Sequence, residues 1–585
     1  MKKIKIYTQS IRNLTIASAL CGLVSIPFSS CTPVQKPITK HDDLILINQN
    51  GYQTTSPKIA LIRKETKQNV SIVDSLGNQV LSVKAGEPKE WKMSGDKAAI
   101  VDFSQLTQPG KYYLVVNDTI VSHPVIISAN PYNKIGEEAI RAFYYNRTAM
   151  PIDEKHGGKW ARPAGHPDTV VYVHPSAASK QRPAGTVLSS PGGWYDAGDY
   201  NKYVVNSGIS TYTLLKTIED FTQFISVQEL NIPESDNKLP DLLDETLYNL
   251  RWVMTMQDPN DGGVYHKLTE KQFSGFIMPH ECKDERVVVQ KTTAAALNYA
   301  ALLAKTARVI KPWNEQLPGL ADSCRTLAIN AWNWAVKNPT IVYIQPEDIK
   351  TGAYDDNLLK DEFYWAACEL YLTTADKQFI PHITQNYKNW GIPTWGNPGT
   401  LGTLSLLKEP TAISAELSQL SIKQDFTTMV DSLLNNEQNA AYHVSINSFD
   451  WGSNSDVVNQ GMVKLVAYQT TGEAKYLNSA INDADYILGR NATGYCFVTG
   501  AGSKQVMNIH HRPSAADGIT EPVPGFLAGG PNTIVLNDCG DKVVRDTFPA
   551  KSYVDAECSY STNEIAINWN APLAYLFNGL AANLK

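Results

Sequence analysis

The hydrophobic pattern of the chain changes its period once. From about Asp42 to Asn130 the apolar positions come in short runs: KIALI (58–62), NVSIVD (69–74), NQVLSV (78–83), AAIVDF (98–103) and KYYLVV (111–116). These runs are rich in β-branched and aromatic residues. Turn signals separate them, among them Asp74-Ser75-Leu76-Gly77-Asn78 and Gln108-Pro109-Gly110. About five to seven short strands at this spacing predict a β-sandwich of immunoglobulin type. After Pro131 the period becomes helical, with amphipathic stretches at 132–147, 209–221, 241–257, 292–310, 320–337, 358–374, 460–471, 474–488 and 565–584. Between them lie loops at 150–195, 259–290, 339–357, 387–403 and 490–560, rich in Gly, Pro, Asn and aromatic residues. Compact domains rarely carry loops that long unless the loops have a task. The pattern predicts about ten to twelve helices paired as hairpins, an all-α toroid with its site on one face, and no repeat at the sequence level.

The N-terminus follows neither pattern. Lys2, Lys3, Lys5 and Arg12 precede an apolar stretch from Leu14 to Phe28, followed by Phe28-Ser29-Ser30-Cys31. This resembles the lipobox of bacterial lipoproteins, which implies a signal peptide over 1–30 and lipidation of Cys31. The apolar run is too short and interrupted to span a bilayer. TPVQKPITKH (32–41) then reads as a tether reaching up to about 30 Å if extended. The expected organisation is signal 1–30, lipidated cysteine and tether 31–41, sandwich 42–130 and helical domain 131–585. The protein is expected in the cell envelope, touching the membrane only through its anchor.

At 585 residues the chain exceeds one ordinary domain. A net charge of -6 gives no reason to expect nucleic acid or an anionic membrane as partner, and a monomer is expected. The 28 Tyr, 12 Trp and 15 Phe serve a core, but they also suit flat apolar ligand faces such as sugar rings. Cys282, Cys324, Cys368, Cys496, Cys539 and Cys558 have no framework spacing and are expected as buried free thiols.

Three segments carry chemistry. In GGWYDAGDYNKYVVNSG (192–208), Asp196 and Asp199 sit three apart among glycine and aromatics just before a helix. Carboxylates there can stay ionised and hold a water, as a general base must; a helix cap or half a metal site is the alternative. FVTGAGSKQVMNIHHRPS (497–514) delivers His510, His511 and Arg512 from a glycine-rich loop. YVDAECSYSTNEIAINWNAP (553–572) places Asp555, Tyr560 and Glu564 ahead of a final amphipathic helix. A glutamate at a helix entrance is either a cap partner or, with its pKa raised by its neighbours, a general acid.

Together the three segments closely resemble glycoside hydrolase family 9, the cellulase family built on an (α/α)6 barrel. The first carries the family's DAGD element and the second its histidine signature. The third matches its acidic signature at Tyr553, Asp555, Tyr560, Glu564, Ala566, Asn570 and Ala571. NQNGYQ (48–53) and LTQPGKYYLVV (106–116) look like the immunoglobulin-like module of one subgroup. The resemblance implies an inverting endo-β-1,4-glucanase needing no cofactor for its chemistry. Its substrates would be cellulose-like chains, mixed-linkage β-glucan, xyloglucan or glucomannan. It implies Asp199 as base, Asp196 as its helper in holding the water, Glu564 as acid, and His510 and Arg512 on sugar hydroxyls. Asp555 would order the acid loop. Inversion implies a carboxyl separation of about 6.5–9.5 Å.

Trp451, in a Trp-Gly-Ser element of that family, is a candidate sugar platform, as are Trp569, Trp194, Phe273 and Phe276. Ser455 and Asp456 stand where many members place Arg-Tyr, which leaves the substrate open. A structural Ca2+ is expected at Thr351, Gly352, Asp355 and Asp356, where carbonyls and carboxylates share a tight loop; several family members bind calcium there. An exo-acting glucosidase or glucosaminidase on the same scaffold is the enzymatic alternative. A non-catalytic glycan-binding protein is disfavoured by the presence of Asp196, Asp199 and Glu564.

Overall fold

The computed structural model describes residues 41–63 and 69–584, so the targeting segment and Cys31 lie outside the described residues. The sandwich forms as the alternation predicts. One sheet is ordered Ile45–Leu46, Ile59–Ile62, Asp96–Asp102, Lys89–Trp91. The other runs Tyr52–Gln53, Val125–Ser128, Gly110–Val116, Asn69–Asp74, Gln79–Lys84, with Ile120–Val121 beside Gly110–Val116. Register follows burial: Val70 faces Val116 and Ile72 faces Leu114, all four inside. A shift of one residue would turn these side chains to water, which is why the register is fixed.

The helical domain is a double ring. Val204–Asp220, Thr293–Val309, Lys360–Thr374, Gly399–Lys408, Ser453–Thr471 and Ile567–Asn583 pack side by side, and the last closes on the first. Each is flanked outside by one of Asn133–Tyr145, Asp241–Thr255, Leu320–Lys337, Ile380–Asn386, Ile422–Asn439 and Ala474–Ile487. Inner helices are buried almost all round, so they lose the amphipathic signal; Thr293–Val309 exposes almost nothing. Outer helices keep it, as in Leu320–Lys337, which buries Cys324, Ala328, Ala331 and Ala335.

Three barrel helices, Ile380–Asn386, Gly399–Lys408 and Ile422–Asn439, fall outside the expected amphipathic stretches. Gly399–Lys408 occupies part of the stretch read as a loop at 387–403. It is an inner helix, buried throughout its first two turns, and Gly402 lets it approach Trp365 and Cys368. Ile422–Asn439 has a buried stripe (Ile422, Phe426, Met429, Val430, Leu433) diluted by a polar outer face. The stretches read as loops at 150–195 and 259–290 also contribute a small sheet, ordered Val187–Leu188, Val171–Val173, Val287–Val288, Lys267–Thr269, Lys202–Tyr203.

The cysteine expectation is half corrected. Cys539 and Cys558, at a sequence separation of 19, form a disulfide where the chain folds back on itself. Cys282, Cys324, Cys368 and Cys496 are free and buried. Among the described residues no helix is long and apolar enough to cross a membrane.

The sandwich is fastened to the loop face of the barrel by a few buried polar side chains. Gln49 Oε1 accepts from the backbone N–H of Ser503 and Lys504, and its Nε2 donates to the Gly494 carbonyl. Asn48 donates to Asp485 at 2.8 Å. Asp96 accepts from Tyr442 and Lys551. Gln49→Ala would leave the buried Gly494 carbonyl unpaired, at a cost of about 1–3 kcal/mol, and would free the part-buried N–H groups of Ser503 and Lys504. We expect a lower melting temperature for this variant in a thermal melt; an unchanged one would show that the sandwich does not brace this loop.

Candidate active site

Three distant segments are drawn together by backbone pairing. Ala197 forms an antiparallel bridge with Ala566, and the Ile567 N–H donates to the Asp196 carbonyl at 2.8 Å. His510 bridges Glu564, its N–H donating to the Asn563 carbonyl. Arg512 closes the ring: its backbone N–H and its Nη1 both donate to the Gly198 carbonyl. A Cβ on Gly198 would lie 2.1 Å from the His510 carbonyl oxygen, so only glycine fits at that position.

The hydrogen bonds divide the two aspartates by role. Asp196 accepts at both oxygens, from Asn206 Nδ2 (2.6 Å) and from the Tyr354 hydroxyl (2.6 Å). Asp199 accepts at Oδ2 alone, from Asn201 and from Tyr203. Among the described residues its Oδ1 has no hydrogen-bond partner. That oxygen can orient a water or take its proton. Burial, then the charge of Asp199, pushes Asp196 up to about 8. Glu564 rises well above the usual carboxylate range, first by desolvation and then by Asp199 and Asp196. A carboxyl whose hold on its proton is strengthened by burial and by neighbouring carboxylates thus shares the site with a carboxylate oxygen free to accept one.

A cleft of about 470 Å³ opens over these groups. Asp196, Asp199 and Glu564 line it together with Phe273, Trp395, Trp451 and Trp569. Trp451 is 46% exposed and leans on Tyr560, whose ring also meets His510. Trp569 presents an edge over Gly452. Arg512 lies over the rings of both Phe273 and Phe276, and Phe276 meets His510 edge-on. His510 Nδ1 donates to the Glu557 carbonyl, and burial lowers its pKa. Asp555 stands off the cleft. It accepts the N–H groups of Met507 and Asn508, so it ties the histidine loop to the acid segment.

The structure corrects several candidates. Trp194 is fully buried, donates Nε1–H to Glu245 and packs on Phe143, so it is core and no sugar platform. Thr351 and Gly352 are no free metal donors: the Lys267 ammonium takes the Thr351 hydroxyl and carbonyl and the Gly352 carbonyl. Asp355 is exposed on the cleft wall. Asp356 instead groups with buried Asp361 and Glu362 at the start of the helix Lys360–Thr374, two residues not among the expected ligands. A second cluster, His166, Glu270 and Cys282, is hydrogen-bonded around Glu270 Oε1. Arg286, 3.7 Å from that oxygen, already supplies a cation there.

Tyr203, Tyr354, Trp395, Asp450, Ile534 and Asn568 also line the cleft and were not legible in the sequence. Tyr203, Tyr354 and Asn568 lie within segments the sequence singled out and Asp450 lies beside Trp451, but no local pattern tells which way their side chains point; Trp395 and Ile534 arrive from loops that carry no signal.

Residues 132–577 match the profile described as glycosyl hydrolase family 9, and residues 40–120 match the cellulase N-terminal ig-like domain. The chain belongs to glycosyl hydrolase family 9. It is 41% identical over 580 residues to a xyloglucan-specific endo-β-1,4-glucanase of Bacteroides ovatus, covering 96% of this chain and 98% of the relative. A cellulose 1,4-β-cellobiosidase of Acetivibrio thermocellus is 34% identical over 93% of this chain and 68% of its own length. A solved Bacteroides ovatus family 9 structure superposes with a TM-score of 0.87 at 41% identity, over 93% of this chain and 100% of that one. A family 9 endoglucanase of Alicyclobacillus acidocaldarius gives 0.84 at 29% identity, over 92% and 100%. These neighbours bear out the sandwich followed by an (α/α)6 barrel.

The raised pKa of Glu564 has a stability consequence. Below pH 4.5 the group is protonated folded or unfolded. As pH rises past that value the unfolded chain ionises while the native group holds its proton, so native stability falls until the native group ionises too. Glu564→Gln cannot ionise. Its melting temperature is expected to match wild type at low pH and to exceed it increasingly above pH 4.5. A constant difference across pH would contradict the shift.

Proposed function

We propose that Asp199 and Glu564 carry out an inverting hydrolysis of internal β-1,4 bonds, with xyloglucan as the preferred glucan. The observation that carries the roles is the pairing of a proton-holding Glu564 with an Asp199 oxygen to which no described residue hydrogen-bonds, in one aromatic cleft. Water held between Asp199 Oδ1 and Asp196 attacks the anomeric carbon, and Asp199 takes its proton. The bond from that carbon to the leaving oxygen breaks, and Glu564 gives that oxygen its proton. Asp199 ends protonated and Glu564 ionised; exchange with solvent resets both. Trp451, Trp569 and Phe273 offer flat faces to sugar rings, and Arg512 and His510 offer polar contacts at the rim. Xyloglucan is favoured by the full-length relative of that specificity.

The structural cation also belongs to this reading. Asp356, Asp361 and Glu362 offer ligand atoms within 4.8 Å of one another. Asp356 Oδ2 and both oxygens of Asp361 and of Glu362 are buried without hydrogen-bond partners. Hard carboxylate oxygens at this density suit Ca2+, which would neutralise the cluster and pin the 351–356 turn to the helix Lys360–Thr374. A chelator is expected to lower the melting temperature, with calcium restoring it; Glu362→Gln should abolish that response. A chelator without effect on wild type would remove the cation from this site.

The lipid tether at Cys31 rests on the sequence motif. We expect labelled palmitate to enter the wild-type chain during expression in a bacterium and not Cys31→Ala; equal labelling would refute the anchor.

Glucan hydrolysis is tested by reducing-sugar release from a panel of soluble β-glucans, wild type against Glu564→Gln. Loss of a general acid should cost about 10²–10⁴-fold. Xyloglucan should be cleaved fastest by wild type. Full activity in Glu564→Gln would refute the acid role, and preference for an unbranched glucan would refute the substrate.

A further inference from the structure

Tyr354 stands in a backbone conformation that tyrosine rarely adopts. Its φ is +48°, in the left-handed region, where a Cβ crowds its own backbone. Such residues persist only where their surroundings over-determine them. Tyr354 is also the residue whose hydroxyl donates to Asp196 Oδ2, and its ring packs between Tyr203 and Trp395. What holds the backbone there is found just before it.

Three successive carbonyls precede Tyr354, and each is held by a buried side chain. Lys267 Nζ donates to the Gly352 carbonyl at 2.6 Å and reaches the Thr351 carbonyl and hydroxyl and Gln345 Oε1. Gln345 Nε2 donates to the Thr351 carbonyl at 2.6 Å. His266 Nε2 lies 2.8 Å from the Ala353 carbonyl, which can only accept, so Nε2 carries the proton and Nδ1 accepts from the Thr292 hydroxyl. The His266 ring stacks on Tyr343 with centroids 4.1 Å apart. The Lys267 ammonium sits over the rings of Tyr203 and Tyr343. Both residues are fully buried at the strand Lys267–Thr269, which pairs with Lys202–Tyr203 just after the DAGD turn. The edge strand of this sheet thus follows directly on Asp199, and the start of the strand beside it grips the turn that reaches Asp196.

We propose that Lys267 and His266 are positioning residues: by holding the carbonyls of 351–353 they force Tyr354 into its left-handed conformation and so fix Asp196 for the attacking water. A buried ammonium with several acceptors is not needed for packing, and a leucine or methionine would fill the same space without desolvating a charge. Its placement against consecutive carbonyls is what a clamp requires. The inference rests on the proposed roles of Asp196 and Asp199 and deepens them.

The test is a double-mutant cycle on soluble β-glucan with calcium present. Lys267→Met should lower kcat by up to about 10²-fold, the scale of a small misplacement, with KM little changed. Tyr354→Phe should lower kcat similarly. If the clamp acts through Tyr354, the double variant loses no more than Tyr354→Phe alone. Multiplying losses, or a change confined to KM, would overturn the clamp. Should Lys267→Met fail to fold, His266→Phe deletes the Nε2 donor, keeps an aromatic ring against Tyr343, and takes its place in the cycle. A crystal structure of the folded variant decides independently of activity. Tyr354 relaxed to negative φ, with its hydroxyl off Asp196, is the expected result. Tyr354 still left-handed on Asp196 sinks the clamp even if the glucanase roles stand. An inactive wild type would sink those roles and leave the crystal structure to judge the clamp.

Discussion

The backbone bonds that join Asp196–Gly198 to Ala566–Ile567 and to Arg512, and His510 to Asn563–Glu564, are the constraint on which the site depends. In the proposed mechanism a base, Asp199, and an acid, Glu564, hundreds of residues apart in the chain, must act on one glycosidic bond. Side-chain contacts alone would leave several rotatable bonds between them. Backbone hydrogen bonds fix main chain to main chain, and only the last torsions of each carboxylate remain. Gly198 shows how tight the junction is, since a methyl group there would overlap the His510 carbonyl.

The rest of the molecule serves that junction. The double ring of helices gives a rigid base from which the loops rise at one end, and the small sheet stiffens two of them. The disulfide Cys539–Cys558 and Asp555 hold the segment before Glu564, and the sandwich holds the loop before His510 through Gln49. Each support acts one step away from the chemistry. This is the arrangement expected where reacting groups stand on loops, because loops gain precision only from what packs behind them.

Charge is used sparingly and in opposite senses. Near the cleft, carboxylates are crowded so that Glu564 holds a proton. Behind it, Lys267 is buried among carbonyls, and Asp356, Asp361 and Glu362 are buried without hydrogen bonds to their outer oxygens. Each of these groups is costly to bury. Their common neighbour is the 351–356 turn, which carries Tyr354 to Asp196 and Asp355 to the cleft wall.

The sequence by itself determined the class of fold, and it singled out the residues proposed as reacting groups. Period-two runs from Lys58 to Val116 and helical stripes beyond Pro131 are local consequences of one-sided burial, so they show in one dimension. The DAGD turn, the histidine loop and Glu564 are legible because their chemistry demands particular residue types at short spacing. Tertiary structure decided what no short window encodes. Gly399–Lys408 is helical because neighbours bury it on every side, which erases the stripe that would announce it. Trp194 looked like a platform and is core, since glycine and aspartate nearby say nothing of which way an indole points. Thr351 and Gly352 looked like metal donors until Lys267, some eighty residues away, claimed their oxygens. Cys539 found Cys558, and Tyr354 found Asp196, only when the loops met, because pairing across long separations is fixed by packing and not by spacing.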